Sequence, residues 1–293
     1  MNLLRRTERE IVVFETDWHG GFTLGLCNPD VELLDEAEDG TLTPYSPRLT
    51  ATQEYLWRGY LADVAEVEAL AGKDPVKLIH LGDLCHGKRY LEQLMSTRLA
   101  DQVTVAVSNF APYLALKNLE SVTLVQGTAA HGFGEGSAEV LVAGQLGAQI
   151  RAKTIRHLLA SVQAVKLDAS HHGPAKGIRV WTEANVAKLY LRDRMQREAL
   201  RGRKPPEVYI RAHHHAYLHV QDEMRRVVDS KGEVWVSDLY IVPARCGLSE
   251  YAQKATQSEY LVYDGCVAFE IAGGKITAHP FWREVDLRTE ETL

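Results

Sequence analysis

The chain has 293 residues, of which 45% are hydrophobic and 25% are charged, and its formal net charge is −6 at pH 7. This composition allows a substantial buried core, so it excludes a disordered chain and is typical of one large or two small globular domains. The acidic balance does not indicate a nucleic-acid-binding protein as a whole, although basic residues can be concentrated locally.

The amino terminus and the cysteines are typical of a cytoplasmic protein. The opening sequence MNLLRRTEREIVVF contains an apolar run of only four residues. This run is too short for a signal-peptide core or a membrane span, so we expect a cytoplasmic location and no membrane partner. Cys27, Cys85, Cys246 and Cys266 lack CxxC spacing, so we expect reduced, packed thiols rather than disulfides or a cysteine-rich zinc module.

Short apolar runs alternate with longer segments of helical character. The runs predict strands at residues 10–16, 76–81, 121–126, 162–169 and 207–212, near-continuously hydrophobic as buried parallel strands are. Helices are predicted between them, at about 50–72, 89–117, 135–160 and 182–203. The alternation predicts an α/β fold, with one domain over residues 1–293.

Three regions are predicted to depart from this alternation. Residues 28–48 are acidic and rich in turn residues, which predicts a long surface loop. Residues 134–205 are predicted as a mainly helical segment. Further strand-like runs predict a β-rich, antiparallel portion over about 233–285.

Polar residues follow directly after each of the five predicted strands. The five motifs are TDWHG at 16–20, GDLCHG at 82–87, GTAAHG at 127–132, SHHGP at 170–174 and AHHH at 212–215. In an open α/β sheet, ligands bind beyond the carboxyl ends of the strands, so these turns are expected to converge. Each motif alone has a structural explanation, as a helix cap, a turn or a packed histidine. Together they favour a metal site.

The histidine triplet carries a stereochemical prediction of its own. If the fifth strand continues through it, His213 and His215 project to one face and His214 to the other. The triplet is then expected to supply two ligands on either side of a residue that is not a ligand.

The order of the motifs resembles that of calcineurin-like metallophosphoesterases, whose pattern is DxH, GDxx(D/H)G, GNH(D/E), a later His and GHxH. The resemblance covers about residues 11–216. It implies a fold of central β-sheets, packed as a sandwich and flanked by α-helices. It also implies two divalent metal ions, and mixed oxygen and nitrogen ligands suit manganese, iron, nickel and zinc alike.

The resemblance also implies which residues hold the two metals. The ligands of the first would be Asp17, His19 and His215, those of the second His171 and His213, and Asp83 would bridge the two. A carboxylate between two cations is expected to stay ionised, as a bridge requires.

The third motif departs from the family pattern. Thr128 stands where the family has an Asn that ligates the second metal, and His131 follows three residues later rather than directly. A hydroxyl is a weaker ligand than an amide oxygen, so the second metal is expected to be held loosely through Thr128 or to be completed by His131. The GTxxH form resembles that of phosphoesterase-like proteins of phages and prophages.

The chemistry implied by the resemblance is metal-dependent hydrolysis of phosphate esters without a covalent enzyme intermediate. His131 is the expected general acid for the leaving oxygen, and Asp83 is the bridge on which the catalytic centre depends. His86 is expected either behind a ligand or against the substrate phosphate. His172 is expected to contact substrate.

The segment from Lys188 to Lys204 bears on the substrate. It carries seven Lys or Arg against Asp193 and Glu198, and such a segment is able to bind a nucleic-acid backbone. The favoured function is therefore a phosphodiesterase acting on nucleic acid or nucleotides. The alternative for the segment is a solvated helical face with internal ion pairs, such as Asp193 with Arg197.

Other functions stay open at this point. A phosphomonoesterase or protein phosphatase is the close alternative within the same chemistry. A degenerate member that serves as a binding or scaffold protein is the alternative of another class, although such a protein has no need of a costly cluster of acid and imidazole groups. A zinc hydrolase of the β-lactamase or amidohydrolase kind is disfavoured, because no HxH block precedes residue 213.

Overall fold

The computed structural model describes residues 9–89, 91–133, 137–175, 182, 184–228, 231–256, 260–289 and 291. The strands are β1 Arg9–Glu15, β2 Leu33–Glu36, β3 Leu42–Tyr45, β4 Val76–His80, β5 Leu119–Val125, β6 Ala152–Ile155, β7 Leu158–Val162, β8 Val165–Ala169, β9 Val208–Arg211, β10 Leu218–Val228, β11 Lys231–Ile241, β12 Leu261–Ala272 and β13 Lys275–Asp286. The helices are α1 Ala51–Ala71, α2 Leu99–Ser108, α3 Ala111–Leu114, α4 Ala138–Leu146, α5 Asn185–Leu200 and α6 Glu250–Thr256.

The strands form two main sheets. The first has the order β13-β12-β1-β4-β5-β6, the second has the order β10-β11-β9-β8-β7, and β2 and β3 form a separate hairpin. In the first sheet β1, β4, β5 and β6 run parallel, and in the second β8, β9 and β11 run parallel. Antiparallel pairing occurs at one end of the first sheet, through β12 and β13, and at both edges of the second sheet, through β10 and β7.

Three apolar clusters hold the layers together. Val13 of β1 packs with Leu56 of α1 and Val103 of α2, while its neighbour Val12 packs between the two sheets. On the far side, Leu191 of α5 packs against the outer face of the second sheet. The layers therefore follow as helices, sheet, sheet and helix. The predicted α/β fold of central sheets packed as a sandwich and flanked by helices is confirmed.

The predicted helix over 135–160 is wrong beyond α4. The chain turns at Gly147 and then forms β6, β7 and β8, so the described part of residues 134–205 holds α4 and α5 separated by three strands. The pattern of β7 has alternating buried and exposed positions over only five residues, which is too short a stretch to separate strand from helix by periodicity.

Other elements also differ from the prediction. The predicted helix over 89–117 is reduced to α2 and α3, because the chain turns after Ser108 and helix restarts only at Ala111. The surface loop over 28–48 contains the β2–β3 hairpin. The β-rich portion begins with β10, well before residue 233, because LHVQDEMRRVV carries too many polar residues to read as a buried strand.

Among the described residues, every helix is too short or too polar to cross a bilayer. All four cysteines are buried and free.

Candidate metal centre

Five loops meet at one edge of the sandwich. Those after β1, β4 and β5 come from the first sheet, and those after β8 and β9 come from the second. The residues predicted as metal ligands all lie in these loops, namely Asp17, His19, Asp83, Thr128, His171, His213 and His215. Their side chains come together, and their roles as ligands stay predictions.

The first two loops are joined by backbone hydrogen bonds. The amide of Asp17 donates to the carbonyl oxygen of Gly82 (3.1 Å), and the amide of His19 donates to that of Asp83 (3.0 Å). The amide of Gly20 donates to the carbonyl oxygen of Leu84 at 2.7 Å. The pairing of β1 with β4 thus continues past both strand ends, which sets the two carboxylates beside each other.

The ligand positions have an unusual backbone conformation. Five of the predicted ligands have a positive φ: Asp17 at 52°, His19 at 46°, Asp83 at 55°, His213 at 75° and His215 at 48°. Only three other non-glycine residues in the described ranges share it. This region is sterically costly for residues with a Cβ atom, and such strain is concentrated at functional sites. The fold therefore holds these side chains in place at a cost in stability.

Two motif glycines allow the second and third loops to touch. A Cβ atom on Gly82, whose φ is +110°, would lie 2.5 Å from the Cα atom of Gly127. A Cβ atom on Gly127 would lie 2.1 Å from Oδ1 of Asp83. Both distances are too short for any side chain, so the glycines in the GD and GT motifs are required by this close approach.

The first ligand group comprises Asp17, His19 and His215. Oδ1 of Asp17 lies 3.3 Å from Nε2 of His215 and 3.7 Å from Nε2 of His19. The other oxygen of Asp17 accepts hydrogen bonds from the Thr16 hydroxyl and the His213 amide, whereas Oδ1 of Asp17 and Nε2 of His19 are buried without a hydrogen-bond partner. Buried polar atoms without a partner are costly, and a cation between them would supply the missing interaction.

The second ligand group surrounds the Thr128 hydroxyl. This oxygen lies 3.0 Å from Oδ2 of Asp83, 3.1 Å from Nε2 of His171 and 3.3 Å from Nδ1 of His213. Nδ1 of His171 donates to the Leu81 carbonyl oxygen, so Nε2 carries the lone pair when that ring is neutral. One hydroxyl proton cannot serve all of these atoms, and Nε2 of His171 also lies 3.1 Å from Oδ2 of Asp83.

The two groups are contiguous. Oxygens of Asp17 and Asp83 and a nitrogen of His171 lie within 4.8 Å of one another. Asp83 therefore lies between the two groups, where the resemblance implies a bridging carboxylate.

The electrostatics separate the carboxylates from the imidazoles. Burial has the largest single effect on Asp83 and raises its pKa, but the neighbouring histidines, His171 foremost, together lower the pKa by more. Burial likewise opposes the charge on Asp17, whose pKa is lowered overall by His215, His171 and His19. Burial lowers the pKa of His19 to about 4 and that of His213 to about 4. Both rings are therefore neutral at pH 7, with a lone pair available. Burial also opposes the charge on His171, but Asp83 and Asp17 raise its pKa to about 9.

Three further histidines border the two groups. Nδ1 of His131 donates to the His86 carbonyl oxygen at 2.6 Å, and Nε2 of His131 lies 3.9 Å from Oδ2 of Asp83. His86 is buried, and its ring is stacked flat on Phe22 with the centroids 4.0 Å apart. His172 is exposed at the rim, with its ring 4.8 Å from that of His213.

The histidine triplet does not continue the strand. β9 ends at Arg211, and the positive φ of His213 and His215 turns the chain out of the sheet. The prediction that the fifth strand continues through the triplet is therefore wrong. His213 and His215 still face the ligand groups, because the left-handed backbone turns them inward, while Nε2 of His214 donates to the Gly173 carbonyl oxygen at 3.1 Å.

A buried ionic network beneath the first loop was missed by sequence reasoning. Arg245, fully buried, makes two hydrogen bonds to Glu15 and also contacts Asp63 and Asp264. Its backbone amide donates to the Asp17 carbonyl oxygen at 3.3 Å. These residues are as many as 230 positions apart, so no local pattern could have indicated the network.

His80 was missed as well. This fully buried ring ends β4, accepts a hydrogen bond from the Gly82 amide through Nδ1 and packs edge-on against Trp18 with the centroids 4.5 Å apart. Burial lowers its pKa to about 3, so it stays neutral. It supports the turn that carries Asp83. The one available signal was its position directly before the GD motif.

The donor set fits divalent cations. It combines carboxylate oxygens, a hydroxyl and neutral imidazole nitrogens, which are the ligands that manganese, iron, nickel and zinc accept. The orphaned acceptors of the first group lack a positive partner, and in the second group a cation would replace the proton on His171. Histidines with a lone pair already available would bind a cation without first losing a proton.

Comparison with protein-family models finds no match, and comparison with curated proteins finds none. Among solved structures, an archaeal phosphodiesterase aligns over 92% of this chain and 99% of its own, at 10% identity and a TM-score of 0.38. A metallophosphoesterase from Sphaerobacter thermophilus aligns over 95% and 89%, at 11% identity and 0.35. The NAD nucleotidase of Haemophilus influenzae aligns over 95% of this chain and 50% of its own, at 11% identity and 0.35. Similarity of this degree does not decide a function.

Proposed function

We propose that this protein hydrolyses phosphate esters with the help of two divalent cations, and that phosphodiesters are its favoured substrates. The observation that carries the proposal is the pair of contiguous, buried ligand groups with Asp83 between them. An ordinary structural cluster would pair its carboxylates with Arg or Lys, as Arg245 does beneath the first loop. Here the partners are imidazoles, and several acceptors are left without a donor.

The chain's own groups fit this chemistry. Divalent cations bound in such a site activate water as a nucleophile and neutralise charge on the phosphoryl oxygens. Asp17 and Asp83 stay ionised because neighbouring histidines lower the pKa of each. The low exposure of the ligand groups limits competing water and strengthens electrostatic interactions.

His131 is the proposed general acid. Its Nδ1–H is held by the His86 carbonyl oxygen, so the ring cannot rotate freely and its Nε2 is aimed toward Asp83. A proton on Nε2 would pass to the leaving oxygen as its bond to phosphorus breaks. His172 at the rim is the proposed contact for the rest of the substrate.

Nucleic acid is the proposed macromolecular substrate, and α5 is its proposed contact. Six of the seven basic residues from Lys188 to Lys204 have carboxylate partners, such as Arg192 with Asp222 and Arg197 with Asp193. Those partners comprise four acids, so three positive charges remain uncompensated. The pairing also fits the alternative of a solvated helical face, and the two readings differ in their salt-dependent DNA binding.

The position of α5 restricts which substrate could touch it. The helix connects two parallel strands, so it runs back from the edge that carries the ligand groups, and its last basic residues lie near the start of β9, where Lys204 contacts Glu207. A helix of 16 residues spans roughly 24 Å. A mononucleotide at the ligand groups would not reach Arg197, whereas a polymer would.

The test is an assay with added Mn²⁺ or Zn²⁺ on bis-p-nitrophenyl phosphate, p-nitrophenyl phosphate, and single- and double-stranded DNA. We expect turnover of the diester, and Asp83→Asn should reduce it on the order of 10³-fold because it removes the charge between the cations. Asp286→Asn, an exposed carboxylate on β13, is the matched control.

Each other outcome points to a different function. Activity that survives Asp83→Asn would refute the mechanism. Preference for the monoester would favour a phosphatase. No turnover with any divalent ion would favour a binding or scaffold protein.

A further inference from the structure

His86 lies against a predicted ligand, with very little access to substrate. Its relative exposure is 5%, and Nδ1 of its ring lies 3.4 Å from Nδ1 of His19. The flat stack on Phe22 fixes the plane of the His86 ring, with an interplanar angle of 7°. The side chain of His86 is therefore held with its Nδ1 atom facing Nδ1 of His19.

When both rings are neutral, a hydrogen bond between the two Nδ1 atoms needs a shared proton that is carried by one of them and accepted by the lone pair of the other. If His86 carried it, the proton of His19 would sit on Nε2, which points toward Oδ1 of Asp17 at 3.7 Å. Nε2 would then have no lone pair for a cation. If His19 carries the shared proton on Nδ1, Nε2 presents a lone pair to the first ligand group.

We propose that His86 is a positioning residue that accepts the Nδ1–H of His19 and thereby keeps Nε2 of His19 available as a ligand. The inference rests on the proposed function, because it assigns His86 a task in cation binding. Histidine ligands usually donate their second ring N–H to a carboxylate, a carbonyl or water, and here a second imidazole takes that place. Through its carbonyl oxygen the same residue also holds His131.

The test compares two substitutions that differ only in whether an acceptor remains. His86→Leu removes the acceptor, and His86→Asn keeps an amide oxygen near the position of Nδ1. We expect His86→Leu to weaken cation binding about 10–100-fold, the usual cost of losing such a partner, and His86→Asn to bind within about threefold of the wild type. Isothermal titration with Mn²⁺ and Zn²⁺ measures both, and His279→Leu, a partly exposed histidine on β13 that contacts Glu270, is the control.

Two results would overturn the proposal. One is wild-type cation affinity in His86→Leu, and the other is equal loss in both variants, which would mean that the ring itself is needed rather than an acceptor. If wild-type protein binds and turns over substrate, these results remove the role of His86 alone; if it binds no cation, the proposed function falls as well.

A measurement on the unsubstituted protein covers the case in which His86→Leu does not fold. Long-range proton–nitrogen NMR spectra of the zinc-loaded protein report which nitrogen of His19 is protonated. A proton on Nδ1 is expected. A proton on Nε2 would refute the proposal, whatever the variants do.

Discussion

At the scale of single residues, the most informative position is Thr128, where the third motif departs from the family it resembles. Its hydroxyl lies within 3.3 Å of three acceptors from three different loops. Its backbone amide also donates to Oδ1 of Asp83, so the residue is fixed from both sides. The side chain therefore lies at the centre of the second ligand group.

The first prediction concerns this hydroxyl. Thr128→Val keeps the shape of the side chain but removes the oxygen, so we expect the Mn²⁺ bound at saturation to fall by about one ion per chain. Thr128→Ser retains the hydroxyl and should bind as the wild type does. Elemental analysis after gel filtration measures the stoichiometry. Unchanged stoichiometry and affinity in Thr128→Val would show that the hydroxyl is not a ligand.

The second prediction concerns pH in the metal-free protein. The pKa of His171 is raised to about 9, above an unfolded value of about 6.5, so its stabilising contribution is complete below pH 6.5 and is lost as the pH rises through 9. The pKa values of His19 and His213 are lowered to about 4, so stability is lost as the pH falls from about 6.5 toward 4.

These opposite slopes predict a maximum in the melting temperature at about pH 6.5 when EDTA is present. Saturating Mn²⁺ should flatten the alkaline decline, because a bound cation replaces the proton on His171. Differential scanning fluorimetry across this pH range measures both curves. A melting temperature that keeps rising to pH 9 in EDTA would contradict the assignment of His171.

At the scale of elements, the central parallel strands were predictable, whereas the edge strands β6, β7 and β10 were not. β1 is covered on both faces, so its run Ile11–Phe14 is apolar throughout, and the polar motif that follows it marks its carboxyl end. β10 lies at a sheet edge with charged side chains, and β7 is short. Neither shows a pattern that separates it from a loop or a helix.

The ligand residues could be picked out because each follows a buried strand, but the reason for their geometry could not. The inward turn of His213 and His215 depends on positive φ values, which no local pattern indicated. The contacts of Thr128 join loops from both sheets, and sequence order does not show which loops touch.

The third prediction is for α5. Glutamate at Arg194, Arg197 and Arg201 should weaken DNA binding about tenfold or more at low salt and reduce the slope of affinity against salt, since each lost phosphate contact lowers that slope by about one. The same reversal at Lys254, Lys275 and Arg288 is the matched control on other exposed surfaces. Equal binding by both triple variants would remove nucleic acid from the proposal.

At the scale of the whole molecule, the network around Arg245 connects the first sheet to α1 and to the first ligand loop. Arg245 contacts Glu15 of β1, Asp63 of α1 and Asp264 of β12, and Arg283 of β13 joins the last two. The network is almost entirely buried, so its charges depend on each other for compensation.

The fourth prediction follows from that burial. Arg245→Met should lower the free energy of unfolding by about 3–5 kcal/mol, because it leaves buried carboxylates without their partner. Arg192→Met breaks an exposed pair with Asp222 and should stay close to the wild type. Urea unfolding followed by circular dichroism measures both. A small loss in Arg245→Met would mean that the carboxylates are protonated or solvated instead.

The ligand groups draw side chains from both halves of the sandwich: Asp17 and Asp83 follow strands of one sheet, while His171 and His213 follow strands of the other. A cation bound by these side chains would therefore link the two sheets at this edge. Chelation would then do more than stop turnover, because the opened edge would become vulnerable to heat and to proteases.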